Sequence, residues 1–158
     1  MLAPRMFSVC RRYCPDYDEA RDLLQEGFIK VFSHIGQFRG EASFEGWVRR
    51  IMVNHALSHL RKVSKDKRII SLEDTEITET HADEVEEAPE HDLSPDEVLE
   101  VIQQLPVGYR TVINLYAVEN FTHKEIAKQL GVTEGTSKSQ LAKARQHLKK
   151  ILNDIIKK

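Results

Sequence analysis

The sequence predicts an all-α protein in which a flexible acidic linker joins two small helical domains. Nearly every patterned segment repeats its apolar residues with a helical period, and none alternates as a half-buried strand does. The length of 158 residues suits one ordinary domain or two small ones. The net charge changes sign twice along the chain: it is +5 for residues 1–70, −13 for residues 71–105 and +6 for residues 106–158. Two basic ends favour polyanionic partners and leave a different role for the middle.

The first predicted domain, residues 1–66, begins with two helices. The first helix runs from about Ala3 to Cys14 and ends at Pro15. The second runs from about Asp18 to Ile35. Its predicted buried stripe comprises Ala20, Leu24, Gly27, Phe28, Val31 and Ile35. Its opposite face comprises Asp22, Gln25, Glu26, Ile29 and Ser33. Such an acidic face is typical of ordinary surface, but it also suits docking on a basic partner.

A third helix follows a loop at 36–43, in which two glycines break the periodic pattern. Ser43 is its predicted cap, and the helix extends to about Lys62. Its predicted apolar side comprises Phe44, Trp47, Val48, Ile51, Met52 and His55. A neighbouring line comprises Arg50, Asn54, Leu57 and Arg61, with Trp47 at its edge. Guanidinium groups, an amide and a stacking ring along one line indicate a nucleic-acid track, with an ordinary basic helix surface as the alternative.

The predicted linker covers residues 67–93. Residues 73–92 contain ten acidic residues and neither Lys nor Arg, and no sustained apolar period crosses them. A segment with so little to bury is predicted to stay extended or disordered. Its charge should keep it off DNA, so that only the flanking domains bind there.

The second predicted domain, residues 94–158, opens with Ser94 as a helix cap and Pro95 at the first helical position. Pro106 separates this helix from the next, which is predicted to reach about Asn120. A capping box of Thr122 and Glu125 then starts a short helix.

Gly131 provides the left-handed residue that ends the short helix, and Thr133 caps a longer one with Leu141, Ala144 and Leu148 on its inner side. Two helices joined by a short turn with glycine form a helix-turn-helix, whose second helix enters the major groove of DNA. The candidates for base edges or adjacent phosphates are Thr136, Lys138, Ser139, Gln140 and Lys143. A helical hairpin with a merely solvated basic face is the alternative.

Three segments together resemble the sigma factors of the extracytoplasmic-function (ECF) group, which are two-domain promoter-recognition subunits of bacterial RNA polymerase. DEARDLLQEGFIKVF (18–32) is similar to the polymerase-binding helix of the family. FRGEASFEGWVRRIMVNHALSHLRK (38–62) is similar to its minus-ten segment. LPVGYRTVINLYAVENFTHKEIAKQLGVTEGTSKSQLAKAR (105–145) is similar to its minus-thirty-five reader, although Ser137 stands where an apolar residue is usual.

The resemblance implies a role for each surface. Docking on the clamp helices of the largest polymerase subunit would fall to Asp22, Gln25, Glu26 and Ile29. The loop 36–43 would trap a flipped minus-ten base. Minus-ten contacts would fall to Arg39, Trp47, Arg50, Asn54, Arg61 and Lys62. Minus-thirty-five contacts would fall to Thr136, Lys138, Ser139, Gln140, Lys143 and Arg145. The linker would thread the nucleic-acid channel of the polymerase.

Core RNA polymerase, promoter DNA and an anti-sigma factor are the partners that the resemblance implies, with the cytoplasm as the location. One alternative is a stand-alone helix-turn-helix regulator. It would explain the second domain, but it leaves the acidic face and the nucleic-acid track of the first domain without a role. A third alternative is an enzyme that acts on DNA, but the sequence contains no recognisable catalytic group for one. Neither Cys10 with Cys14 nor His55 with His59 has the further ligands of a familiar metal motif, so no metal or cofactor is expected. No apolar run is long enough to insert into a membrane.

Overall fold

The computed structural model describes residues 1–63 and 92–157, and within them it is helical, with no β-strand. This confirms the predicted all-α class. The chain divides into two compact units, Met1–Lys67 and Arg68–Lys158. The predicted linker lies outside the described residues except for its last two positions, 92 and 93. No described helix has the length and apolar character that a membrane span requires.

The first unit contains three α-helices: α1 (Leu2–Tyr13), α2 (Tyr17–His34) and α3 (Phe44–Val63). The Asp16 side chain caps α2 by accepting a hydrogen bond from the Glu19 backbone N–H. A 3₁₀ turn at Ile35–Gln37 continues α2 into the loop. Ser43 caps α3 as predicted, because its Oγ accepts from the Gly46 N–H at 3.0 Å. The observed ends of all three helices agree with the predicted ones to within one or two residues.

All three helices of this unit pack against one another. Gly27 lets α2 approach α3 closely, since a Cβ at that position would overlap the Met52 sulfur. The buried apolar residues include Met6, Val9, Tyr13, Ala20, Leu23, Val31, Val48, Met52, Val53, Ala56, Leu57 and Leu60. The core therefore draws on one face of α1, one face of α2 and a broad arc of α3.

Three sequence-based assignments of burial need correction. Leu57 was predicted on the nucleic-acid track, but it is fully buried because α3 packs against both α1 and α2. Ile35 was predicted inside, yet it is 49% exposed because α2 ends at His34 and the chain turns away. Phe44 is 42% exposed, since it begins α3 beyond the three-helix contact.

Leu57→Ala is expected to lower the free energy of unfolding of the first unit by about 2–5 kcal/mol, because it removes a fully buried side chain. Trp47 is the single tryptophan of the chain and lies in this unit, so its fluorescence during urea unfolding reports the change. Arg50→Ala, one exposed position on the same helix, is the control and should change stability by less than about 0.5 kcal/mol. Equal effects of the two substitutions would contradict the burial of Leu57.

The second unit contains α4 (Pro95–Gln103), α5 (Val107–Ile113), α6 (His123–Leu130) and α7 (Glu134–Ile156). Ser94 and Glu97 form a full capping box at the start of α4. The long helix α7 is central, since α4, α5 and α6 all pack against it.

The turn between α6 and α7 has the predicted chemistry. Thr122 and Glu125 exchange both hydrogen bonds of a capping box at the start of α6. Gly131 ends that helix with φ +67°, a left-handed conformation that glycine adopts without steric cost. Thr133 then caps α7 by accepting from the Thr136 N–H. The predicted helix-turn-helix geometry is present.

The helix predicted to reach Asn120 is interrupted. It ends as α5 at Ile113 and continues as a π-helical segment, Asn114–Val118, in which the Glu119 N–H donates to the Asn114 carbonyl at 3.0 Å. This wider turn buries both Asn114 and Leu115. Helical spacing on the sequence assumes 3.6 residues per turn, so it could not locate the change of register.

Candidate DNA-binding and polymerase-binding surfaces

The outward face of α2 carries the four residues predicted to bind polymerase: Asp22, Gln25, Glu26 and Ile29. All four are exposed, and Ile29 is exposed over 65% of its surface. Phe32 lies one turn further on the same face and is 69% exposed, which the sequence analysis missed. Phe32 follows Ile29 by three residues, and this helical spacing could have placed it on the same face from the sequence alone. The face is thus acidic at its N-terminal half and apolar at its C-terminal half.

Glu26 is held by a side chain from the neighbouring helix. His55 of α3 places its Nε2 3.0 Å from Glu26 Oε2. Burial lowers the pKa of His55, Lys30 lowers it further, and the Glu26 carboxylate opposes both effects. The imidazole is therefore mostly neutral near pH 7. A carboxylate can only accept, so the ring proton lies on Nε2 and donates to Glu26. This bond orients one carboxylate of the α2 face.

An aromatic cluster joins the loop to the start of α3. Phe38 lies 5.4 Å from both Phe44 and Trp47 between ring centroids, and Phe44 stacks on Trp47 at 5.9 Å. Phe44 is 42% exposed, and the other two rings are half-buried. Phe38 was not among the predicted site residues, because the loop has no period from which to place it. Three rings at one exposed edge form a platform on which a nucleobase can stack.

Along α3, Arg50, Asn54 and Lys62 are exposed and Arg61 is half-buried. At 100° per residue, Asn54 and Arg61 share a stripe with Trp47, so this line starts at the aromatic cluster. Arg39 is exposed in the loop beside Gly40, whose φ of +73° makes the turn. On α3, the predicted residues Trp47, Arg50, Asn54, Arg61 and Lys62 thus lie within one broad arc of the helix.

On α7, Lys138 and Arg145 are exposed, whereas Thr136, Ser139 and Lys143 are half-buried. Lys138 and Arg145 share one stripe, and the other three share a second stripe roughly 100–160° away around the helix. The Arg145 guanidinium lies over the Tyr116 ring, 5.7 Å from its centroid. The predicted residues therefore border the outward face of α7 on both edges.

Gln140 requires correction as a base-reading residue. It is fully buried, because its position on α7 faces the other helices of the unit. A side chain in that position does not present its amide to DNA. Between the two stripes, Ala142 is half-buried and Gln146 is exposed, and the sequence analysis missed both. Both could have been identified from the sequence, because their positions around the helix point away from those of Leu141 and Ala144.

Ser137 of α7 stands where an apolar residue is usual in the family. It is fully buried, and its Oγ lies 2.8 Å from His123 Nδ1 of α6. His123 stacks on Tyr116 at 4.7 Å. Burial lowers the pKa of His123, and Lys138 and Arg145 lower it further. The polar contact between Ser137 and His123 thus replaces an apolar contact and links α6 to α7.

Comparison with known families covers both units. The Sigma-70 region 2 family matches residues 1–66, and the Sigma-70, region 4 family matches residues 96–148. Residues 1–66 contain the α2 face and the aromatic cluster, and residues 96–148 contain the helix-turn-helix.

Individual relatives agree with this match. The RNA polymerase sigma-H factor of Pseudomonas aeruginosa is 35% identical over 92% of this chain and 79% of its own length. The ECF RNA polymerase sigma factor SigW of Bacillus subtilis is 30% identical over 96% and 84%, respectively. Among solved structures, the sigma factor RpoE from Bartonella quintana, in complex with the anti-sigma factor NepR, has a similar fold, with a TM-score of 0.59 and 21% identity over 96% of this chain and 92% of that one. The chain belongs to the ECF sigma factors, the subunits that direct RNA polymerase in transcription initiation.

Proposed function

We propose that the first unit binds core polymerase through α2 and opens the minus-ten element through α3, while the second unit reads the minus-thirty-five element through α7. One observation is the main support for assigning two separate roles to the first unit. The first unit exposes an acidic and apolar face on α2 and, separately, an aromatic platform that leads into a polar and basic line on α3. These two surfaces suit two different partners, a protein and an unstacked nucleic-acid strand.

The α2 face suits a protein partner of basic and apolar character. Asp22 and Glu26 supply negative charge, and Ile29 and Phe32 supply apolar area that a monomer gains nothing by exposing. Charges at a rim with apolar anchors beside them are the usual composition of a protein interface. The clamp helices of the largest polymerase subunit are the proposed partner.

The α3 surface suits single-stranded DNA. Opening of a duplex starts with an unstacked base, and the rings of Phe38, Phe44 and Trp47 offer a stacking surface for it. Asn54 can hydrogen-bond a base edge, and Arg50 and Lys62 can hold the backbone. The proposed activity is therefore capture of the opened minus-ten strand, without catalytic chemistry of the chain itself.

Lys138→Ala combined with Lys143→Ala is expected to weaken the binding of holoenzyme to a promoter by roughly fivefold to 150-fold while core binding is unchanged. Each lost phosphate contact should also reduce the slope of affinity against salt by about one. Fluorescence anisotropy with labelled promoter DNA at several salt concentrations measures both quantities. Lys157→Ala, near the other end of α7, removes one positive charge away from the predicted contacts and is the control. An unaltered salt slope would contradict the assignment of α7.

The domain boundaries that we propose are 1–66 and 94–158, with residues 67–93 between them. We further propose a cytoplasmic location. We also propose sequestration by an anti-sigma factor, because the related fold of Bartonella quintana RpoE was solved with such a partner. A stand-alone helix-turn-helix regulator, the alternative that the sequence raised, leaves the match of residues 1–66 to Sigma-70 region 2 unexplained. It would bind promoter DNA equally well with and without core polymerase, which the same anisotropy assay distinguishes.

A further inference from the structure

A second cluster of chemically reactive side chains lies in the first unit, formed by Cys14, Glu19 and His59. The Cys14 Sγ, a carboxylate oxygen of Glu19 and a ring nitrogen of His59 all lie within 4.8 Å of one another. Each residue comes from a different part of the fold: Cys14 follows the end of α1, Glu19 lies in the first turn of α2 and His59 lies near the end of α3. The function proposed for the chain uses none of them.

The backbone directs Cys14 toward this cluster. Cys14 leaves the helix with an extended conformation at φ −129° and ψ 105°, and its thiol donates a hydrogen bond to Glu19 Oε2 at 3.1 Å. Cys14 is buried, His59 is half-buried and Glu19 is exposed. The cluster therefore extends from a buried thiol to a solvent-exposed carboxylate.

We propose that Cys14, Glu19 and His59 form a zinc-binding site that joins the ends of the three helices of the first unit. Sulfur, imidazole nitrogen and carboxylate oxygen are the three donor types that Zn²⁺ accepts, and tetrahedral bonds of about 2.0–2.3 Å require donors roughly 3.5 Å apart. Because the donor atoms lie within 4.8 Å of one another, binding needs a contraction of about 1.3 Å at most. Water is the fourth ligand, since three protein ligands leave one position open.

Charge balance also favours a divalent cation. On binding, the thiol proton that lies between Cys14 and Glu19 passes to solvent, and the metal takes its place. A thiolate and a carboxylate together then neutralise the two positive charges of the ion. The site differs from both pairs weighed in the sequence: it takes Cys14 but not Cys10, and His59 but not His55.

The test uses the full chain without a histidine tag, titrated with Co²⁺ and then with competing Zn²⁺. Co²⁺ is expected to bind in a 1:1 ratio and give a thiolate-to-cobalt charge-transfer band that Zn²⁺ removes. Cys14→Ser should abolish the band. Glu19→Gln and His59→Gln should each lower the affinity by at least about tenfold, the smallest loss that altering even a supporting group of a metal site produces.

Two matched variants serve as controls, Cys10→Ser and His55→Gln, which remove the other cysteine and the other histidine of the same helices. Both should keep the band. Zn²⁺ should also raise the urea midpoint of the transition reported by Trp47 fluorescence, and by less in Glu19→Gln than in the wild type. The exposed Glu19 side chain can change without loss of the fold. Absence of saturable 1:1 binding, or a band that survives Cys14→Ser, would overturn the proposal.

Discussion

Replacement of both Asp22 and Glu26 by arginine is expected to abolish binding of the chain to core polymerase. The two carboxylates lie one turn apart on the exposed face of α2, so the double substitution changes the local charge by four units without entering the core. Opposing like charges across an interface costs several kcal/mol, which corresponds to a loss of affinity of at least about a hundredfold. The apolar contribution of Ile29 and Phe32 cannot offset such a loss.

A pull-down with purified core polymerase, followed by titration with a fluorescent chain, measures this effect. Glu100→Arg with Asp154→Arg is the matched control, because it makes the same charge change at exposed positions of the second unit. Phe32→Ala provides an independent arm and should weaken core binding without any change of charge. Wild-type affinity in the double arginine variant would rule out the α2 face as the polymerase contact.

The second large effect concerns strand opening. Trp47→Ala and Asn54→Ala are each expected to slow promoter opening by roughly fivefold to 150-fold while core binding remains normal. The reason is that stacking on an aromatic side chain contributes about 1–3 kcal/mol per base, and a bidentate amide contact contributes a similar amount. Asn54 is exposed and Trp47 is half-buried in the aromatic cluster, and neither belongs to the buried core of the three helices. The permanganate reactivity of thymines in the minus-ten element measures opening directly.

A template that is already unpaired at the minus-ten element separates opening from every other step. Both variants should transcribe this template at a rate much closer to that of the wild type than on duplex DNA. Trp47→Phe keeps an aromatic ring in the cluster and should retain most of the opening activity. An equal defect on duplex and unpaired templates would contradict a role of α3 in strand capture.

The all-α class and the ends of most helices follow from local chemistry, which the sequence displays directly. Ser94, Thr122 and Thr133 cap helices within three residues of their partners, and Gly131 needs only its own backbone freedom. Such features involve short separations along the chain, so their physical causes can be recognised without knowledge of the fold.

Burial was predicted less well, because it depends on how many neighbours a helix has. A helical wheel gives the angles of Leu57 and Gln140, but it does not show that α3 packs on two helices or that α7 packs on three. Both side chains lie at angles that are exposed on a helix with one neighbour and are buried here. The exposed Phe32 illustrates the reverse case, an apolar residue that no neighbour covers.

Sites assembled from distant residues were not predictable. Phe38 reaches the aromatic cluster from a loop without periodicity. Cys14, Glu19 and His59 meet only because the end of α1 and the start of α2 lie against the end of α3. On the sequence, Cys10 with Cys14 and His55 with His59 are pairs without further ligands, whereas the structure brings one member of each together with Glu19.

Transcription in vitro with purified core polymerase tests the role of this chain as a promoter-recognition subunit most directly. Core polymerase is incubated with duplex genomic DNA, with and without the chain, and the 5′ ends of the transcripts are mapped. Transcripts that start at defined sites, preceded by shared minus-ten and minus-thirty-five sequences, should appear only when both core and chain are present. Opening of promoter DNA by the isolated chain, or the same set of start sites with and without it, would contradict that role.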